Sequence, residues 1–198
     1  MNSARHRTAA REARILQVLN LRRKDLTLVL NNIHDPHNVS AILRSCDAFG
    51  VPEVHLYYTD THFPAIAAGS SASARKWVKT VRHRDAASLT ASLRAGNMRI
   101  YAASCSDSAV TLHDLDFTLP SAFILGNEHR GLDAEFAVLA DAEVYIPMYG
   151  MIQSFNVSVA AALLLGEASR QKKAAGQYAR PTYSAEELAA MYTEWIEK

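Results

Sequence analysis

The sequence predicts an α/β fold: a mainly parallel sheet with helices on both faces. Three observations carry that reading. Five short apolar runs, at 26–30, 54–58, 99–103, 122–125 and 144–146, are near-continuous rather than alternating, which is how strands buried on both faces read. Helical stretches separate them, and strand–helix alternation is the signature of parallel connections. The unusual polar residues follow the strand ends, where such sheets bind their ligands.

In chain order, residues 8–23 read as a basic helix with Ile15, Val18 and Leu19 on one side. The first strand, 26–30, runs into a loop over 31–38. A helix over 39–49 stops at Gly50. The second strand covers 54–58. Gly69-Ser70-Ser71 opens a short helix, and 77–81 looks extended. A helix over 86–93 ends near Gly96, and strands follow at 99–103 and 122–125. Asp133 is placed to cap a helix reaching Leu139. The strand at 144–146 stops at Pro147, which has no N–H for a ladder. Gly150 allows a bend, and Ser154 is the expected N-cap of a long helix to Lys173. A last amphipathic helix spans 185–196, with Leu188, Met191, Tyr192 and Trp195 at packing positions.

At 198 residues, 49% hydrophobic and 21% charged, the chain has the composition of one soluble globular domain. Its longest apolar run, 157–165, is too short to span a bilayer. No apolar segment follows the N-terminal arginines, so the expected compartment is the cytoplasm. Cys46 and Cys105 lack metal spacing and read as reduced, buried thiols. The net charge is only +1 but unevenly spread. Cations cluster at Arg5, Arg7, Arg11, Arg14, Arg22, Arg23 and Lys24, again from Arg75 to Arg84, and again at Arg170, Lys172, Lys173 and Arg180. Clustered cations beside the acidic 107–143 segment suit a phosphate backbone, although solvated helix faces are the plainer alternative. Neither GxGxxG nor GxxxxGK[ST] occurs, which argues against the commonest nucleotide folds.

Three loops carry the candidate chemistry. The first, from Asp35 to Arg44, puts Asn38 at a helix start and Arg44 nearly two turns on, expected toward similar sides. A structural ion pair is the bland reading of Arg44. His34 and His37 lie in a loop beside a proline with no third ligand, so no metal is expected. The second loop, Leu125-Gly126-Asn127-Glu128-His129-Arg130-Gly131, ends a strand in a glycine that permits close backbone approach. The third, from Ile146 to Asn156, carries Gln153, Ser154 and Asn156 between a strand end and a helix start.

Taken together, in this order and spacing, the three loops resemble the SPOUT class of methyltransferases, in particular its TrmH (SpoU) family of RNA ribose 2′-O-methyltransferases. The likeness covers roughly residues 26–173 and extends to the tRNA-modifying branch through Ser106-Asp107-Ser108-Ala109-Val110 and the run from Gly150 to Val159. It implies a C-terminal trefoil knot, S-adenosylmethionine as cofactor, tRNA as partner and a homodimer. By motif match the cofactor pocket is expected to include Ala103, Leu125, Gly126, Ile146, Met148 and Phe155, largely through backbone groups. Phe155 stands where the family more often has leucine, and Ala103 where threonine is common.

The family's proposed base falls on Arg44. Arginine is a cation and a poor base, so Arg44 is expected to work through an RNA phosphate or by stabilising the developing alkoxide. Asn38 would fix Arg44 and the RNA backbone, while Glu128, Ser154 and Asn156 would hold the substrate side and the loops. Arg7, Arg11, Arg14 and Lys172 are the expected RNA grip. The expected plan is a basic N-terminal helix (1–25), a methyltransferase domain (26–173) and a helical extension (174–198). Ribosomal RNA or the tRNA wobble ribose are alternative substrates; a non-catalytic RNA-binding protein is the alternative from a different class.

Overall fold

The computed structural model describes residues 8–60, 63 and 74–198. Seven strands form one sheet: β1 Leu26–Asn31, β2 Glu53–Tyr57, β3 Lys79–His83, β4 Arg99–Ala103, β5 Val110–Thr111, β6 Ser121–Leu125 and β7 Ala142–Tyr145. Their order is β3-β2-β1-β6-β4-β7-β5, and every strand pairing is parallel. The expected α/β class therefore holds. β1 and β6 are central and wholly buried, with Leu28 beside Phe123 and Leu30 beside Leu125.

Alternate residues of each strand feed two cores. Leu26, Leu28, Leu30, Tyr101, Phe123 and Leu125 face α2 (Pro36–Ala48) and α6 (Val157–Ala174), which supply Val39, Ile42, Leu43, Ala161, Leu164 and Leu165. Val29, Tyr57, Ile100, Ala122 and Ile124 face α4 (Ala86–Ala95) and α5 (Ala134–Leu139), which supply Leu89, Leu93 and Phe136. Burying a side chain of this size contributes about 1.5–3 kcal/mol. Two-sided burial is why the strands read as continuous apolar runs.

Several boundaries differ from expectation, each for a local reason. α2 starts earlier, at Pro36, because Asp35 caps it by accepting from His37 N–H at 2.8 Å and proline suits the first helical position. α6 is capped by Asn156, not Ser154: Asn156 Oδ1 accepts from Ser158 N–H at 2.8 Å, leaving 153–156 outside the helix. Asp133 stands at the N-cap of α5 but makes no capping bond, since its carboxylate faces Asn31 and Asn32. Trp77 ends a short helix, α3 (Ala74–Trp77), before β3 begins. The helix expected to open at Gly69-Ser70-Ser71 lies outside the described residues. β5, only two residues long, carries no period for sequence reading to find.

The terminal helices, α1 (Ala9–Leu21) and α7 (Ala185–Ile196), pack on each other around Ile15, Leu19 and Trp195, joined by Leu188, Met191 and Tyr192. α7 opens with a reciprocal capping box between Ser184 and Glu187. Two arginines counted in the N-terminal basic cluster are inside this region. Arg22 is fully buried, pairs with Asp47, donates to the Val51 carbonyl at 2.9 Å and lies 5.0 Å from the Trp195 ring centroid. Arg23 pairs with Asp25 at 2.6 Å and donates to the Gln177 carbonyl at 2.8 Å.

Lys172 corrects an expectation. Placed in the RNA grip by sequence, it is fully buried, with Nζ 3.0 Å from Asp25 Oδ2 and donating to the carbonyls of Thr118 and Leu119 at 3.2 and 3.1 Å. It ties the C-terminal turn of α6 to the base of the sheet and offers nothing to a surface ligand. Arg7 lies outside the described residues; Arg11 is half-buried and Arg14 exposed on α1.

Candidate active site

A cavity of about 730 Å³ opens at the carboxyl ends of β4, β6 and β7. Ala103, Leu125, Gly126, Ile146, Met148 and Phe155 all line it, as do Glu128, Ser154 and Asn156. The size suits a small-molecule cofactor. Parallel topology explains the convergence: each strand delivers its following loop to the same edge.

The second loop is folded back on itself. Asn127 and Gly131 exchange backbone bonds at 2.8 and 2.9 Å. Gly131 has φ +74°, and a Cβ added at Gly126 would lie 2.4 Å from the Gly131 carbonyl carbon. Both positions therefore need glycine, one for conformation and one for space. Buried amides latch this loop to the end of β1. Asn31 and Asn32 donate to Asp133 Oδ2 at 2.8 and 2.9 Å, and Asn127 donates to the Asn32 carbonyl at 2.6 Å. Asn32 itself has φ 52°, a left-handed turn that asparagine tolerates. Sequence reading missed these three asparagines; the doublet Asn31-Asn32 at a strand end was the available signal.

Glu128 joins the first loop to the second. It accepts from His34 N–H at 2.9 Å, Asp35 N–H at 3.4 Å and Asn38 Nδ2 at 2.8 Å. Burial pushes its carboxyl up, but the His34 and Asn38 bonds outweigh that and hold it below the ordinary glutamate value. Asn156 then donates to Asn38 Oδ1 at 3.1 Å. One chain of side chains, Asn156 to Asn38 to Glu128, thus fastens all three loops together. Ser154 is exposed at the cavity wall, outside that chain.

Arg44 stands apart. Six helical steps of about 100° leave it roughly 120° from Asn38, so the two do not share a side of α2. Arg44 is exposed, does not line the cavity, and has no hydrogen-bond or ion-pair partner among the described residues. The bland reading, a structural ion pair, is thereby excluded within the described chain.

Cys105 also departs from expectation. It is exposed, not buried, because it sits in the loop after β4 at the cavity wall, with Sγ 3.6 Å from the Gln153 carbonyl. Cys46 is fully buried, and that burial raises its thiol pKa above the ordinary range. Among the described residues no three His, Cys, Asp or Glu side chains converge as a metal site. No helix of the described residues is long and apolar enough to cross a membrane.

A parallel sheet with cofactor-sized space at its carboxyl edge, walled by the loops after β4, β6 and β7, defines an α/β methyltransferase of the SpoU kind. The chain belongs to the SpoU rRNA Methylase family, whose pattern matches residues 25–166. It is 42% identical over 194 residues to the tRNA (guanosine(18)-2'-O)-methyltransferase of Thermus thermophilus, covering 98% of this chain and 100% of that relative. Among solved structures, the TrmH/SpoU tRNA modifying enzyme of Aquifex aeolicus superposes with a TM-score of 0.88 at 35% identity, covering 95% of each chain. The SpoU methyltransferase AviRb of Streptomyces viridochromogenes, in complex with AdoMet, superposes with a TM-score of 0.67 at 25% identity over 76% of this chain and 59% of that one.

Proposed function

We propose that the protein methylates a ribose 2′-hydroxyl of tRNA, at guanosine 18, using S-adenosylmethionine. One observation carries this most directly: the six residues matched to the family's cofactor pocket, distributed over three loops, line a single cavity. The named activity of the Thermus relative, similar over nearly the whole chain, supports the substrate. S-adenosylmethionine supplies an electrophilic methyl group when bound. Ala103, Leu125, Gly126, Ile146, Met148 and Phe155 would hold it.

The chain's own residues do the rest by placement. Glu128, Asn38 and Asn156 keep the loops in one geometry, which matters because in-line transfer depends on orientation. Arg44, a cation without a partner among the described residues, is available to an RNA phosphate or to the developing alkoxide. Exposed Arg14 and half-buried Arg11 on α1 extend the grip.

The same reading includes a trefoil knot, and two features support it. β7 lies between β4 and β5, so residues 104–120 loop around a strand that follows them in sequence. On the α6 side, Gln171 accepts from Phe117 N–H at 2.8 Å and donates to the Leu115 carbonyl at 3.0 Å. A homodimer is supported by apolar side chains left open on α6, Val159 at 44% and Leu163 at 40% exposure, near the exposed Met151 and Ile152. Residues 1–25 and 174–198 would form one accessory unit beside a methyltransferase domain at 26–173, since α1 and α7 pack together. This function places the protein with tRNA in the cytoplasm.

The test is transfer of labelled methyl from S-adenosylmethionine to unmodified tRNA transcripts, with the modified ribose mapped. Label at guanosine 18, lost with Arg44→Ala, is the expected result. Label on ribosomal RNA or the wobble ribose would change the substrate. RNA binding without any transfer would sink the enzymatic reading.

A further inference from the structure

The cofactor cavity has a one-sided charge. Three carboxylates line it, Glu128, Asp133 and Glu143, and among the described residues no lysine, arginine or histidine does, while Arg130 pairs with Asp133 at 3.8 Å from outside the lining. Two of the three tie the rim loops to the end of β1. Glu128 holds the first loop and Asn38, and Asp133 holds Asn31 and Asn32. Glu143 differs. It projects from β7 on the side opposite Val144, which is buried in the α2–α6 core, and so faces the cavity wall formed by α5.

Two serines of the loop after β4 fix this third carboxylate. Ser106 Oγ donates to Glu143 Oε2, and Ser108 Oγ donates to the same oxygen at 2.8 Å. The bonds from Ser106 and Ser108 hold the carboxyl below the ordinary glutamate range, so it is ionised at neutral pH. A carboxylate offers about four acceptor sites, so two such bonds leave capacity for a ligand. Neither serine interaction brings a cation, and among the described residues no ion pair offsets this charge at the open wall of the pocket.

We propose that Glu143, positioned by Ser106 and Ser108, is a charge-selecting residue of the cofactor cavity that favours the sulfonium form of the cofactor over its neutral demethylated product. This rests on the cofactor reading given above. The methyl donor carries a positive sulfonium and its product a neutral thioether, while the rest of the two molecules is the same. An anionic wall discriminates between them through charge alone and assists release of the product.

Direct binding tests this without reference to turnover. Dissociation constants for S-adenosylmethionine, S-adenosylhomocysteine and sinefungin, whose amine keeps a positive charge near the sulfonium position, are measured by calorimetry on the full chain. Wild type is compared with Glu143→Gln, which keeps the serine bonds and removes the charge. The expected result is about fivefold weaker binding of the two cationic ligands and less than about twofold change for S-adenosylhomocysteine. Ser108→Ala follows in the same direction with a smaller shift. Equal loss for all three ligands, or no loss, overturns charge selection while leaving the cofactor reading intact. Wild type that binds none of the three overturns the cofactor reading and this inference with it. The unchanged S-adenosylhomocysteine constant serves as the control for folding.

Discussion

The two ends of the molecule use charged residues in opposite ways. At the terminal-helix end, Arg22, Arg23 and Lys172 are all buried, and each is paired with an aspartate. At the loop end, Arg44 is exposed and has no partner among the described residues, while Glu128 accepts from neutral donors only. The first set is structural: a buried cation needs its counter-charge to stay folded. In the second, Arg44 lacks such a pairing among the described residues, as the proposed RNA contact would require. A count of basic residues merges the two sets; only the pairing separates them.

The sharpest way to break this comparison is to remove one cation from each end. Arg44→Ala should lower methyl transfer at least about a hundredfold. Its melting temperature should stay within about 1 °C of wild type in a thermal scan, because no hydrogen bond or ion pair among the described residues is lost. A large drop in melting temperature would show that Arg44 is structural after all. Lys172→Ala should do the reverse. Removing a buried ammonium and its three bonds, while Asp25 keeps Arg23 and the Thr118 and Leu119 carbonyls keep Gln177 and Ser121, should cost about 2 kcal/mol in denaturant unfolding, with transfer per folded molecule retained. Selective loss of tRNA affinity in a fully stable Lys172→Ala would return that lysine to the RNA surface.

A smaller effect is expected from the loop tie. Glu128→Gln should reduce turnover about tenfold, since its amide can meet the His34 and Asp35 N–H donors through only one oxygen. The pH dependence has a definite sign. The folded Glu128 value lies below the unfolded 4.5, so its contribution is present above pH 4.5 and is lost as pH falls through the folded value. Acid titration of the wild type, followed by loop-sensitive fluorescence, should therefore show no loosening of the rim at pH 5. Least of all should come from Lys24→Ala, which breaks an exposed pair with Glu187 at 3.0 Å. Its melting temperature should not move measurably.

The sheet was legible because its strands are buried on both faces and end at glycine, proline or polar stops. The six residues expected of a cofactor pocket came from the family resemblance, and all six line one cavity. What the sequence hid were pairings between distant positions. Lys172 reads as one of a run of surface cations; its partner Asp25 is 147 residues away. Asp133 reads as a helix cap, yet its carboxylate answers Asn31, 102 residues earlier. Ser154 and Asn156 are equally good caps on paper, and only the local backbone decides that Asn156 caps α6. Each miss is a competition between a local propensity and a long-range bond, and the bond won.

The contact between Gly126 and Gly131 also sets where the cavity can be remodelled. Main chain meets main chain there, with no side chain to trim. An engineer seeking to admit a donor with a bulkier alkyl group gains no volume on that side, and any substitution at Gly126 springs the whole loop. Room can be made instead where Met148 and Phe155 of the third loop line the cavity with side chains that can be shortened. The cavity's volume is thus adjustable at the third loop and fixed at the second.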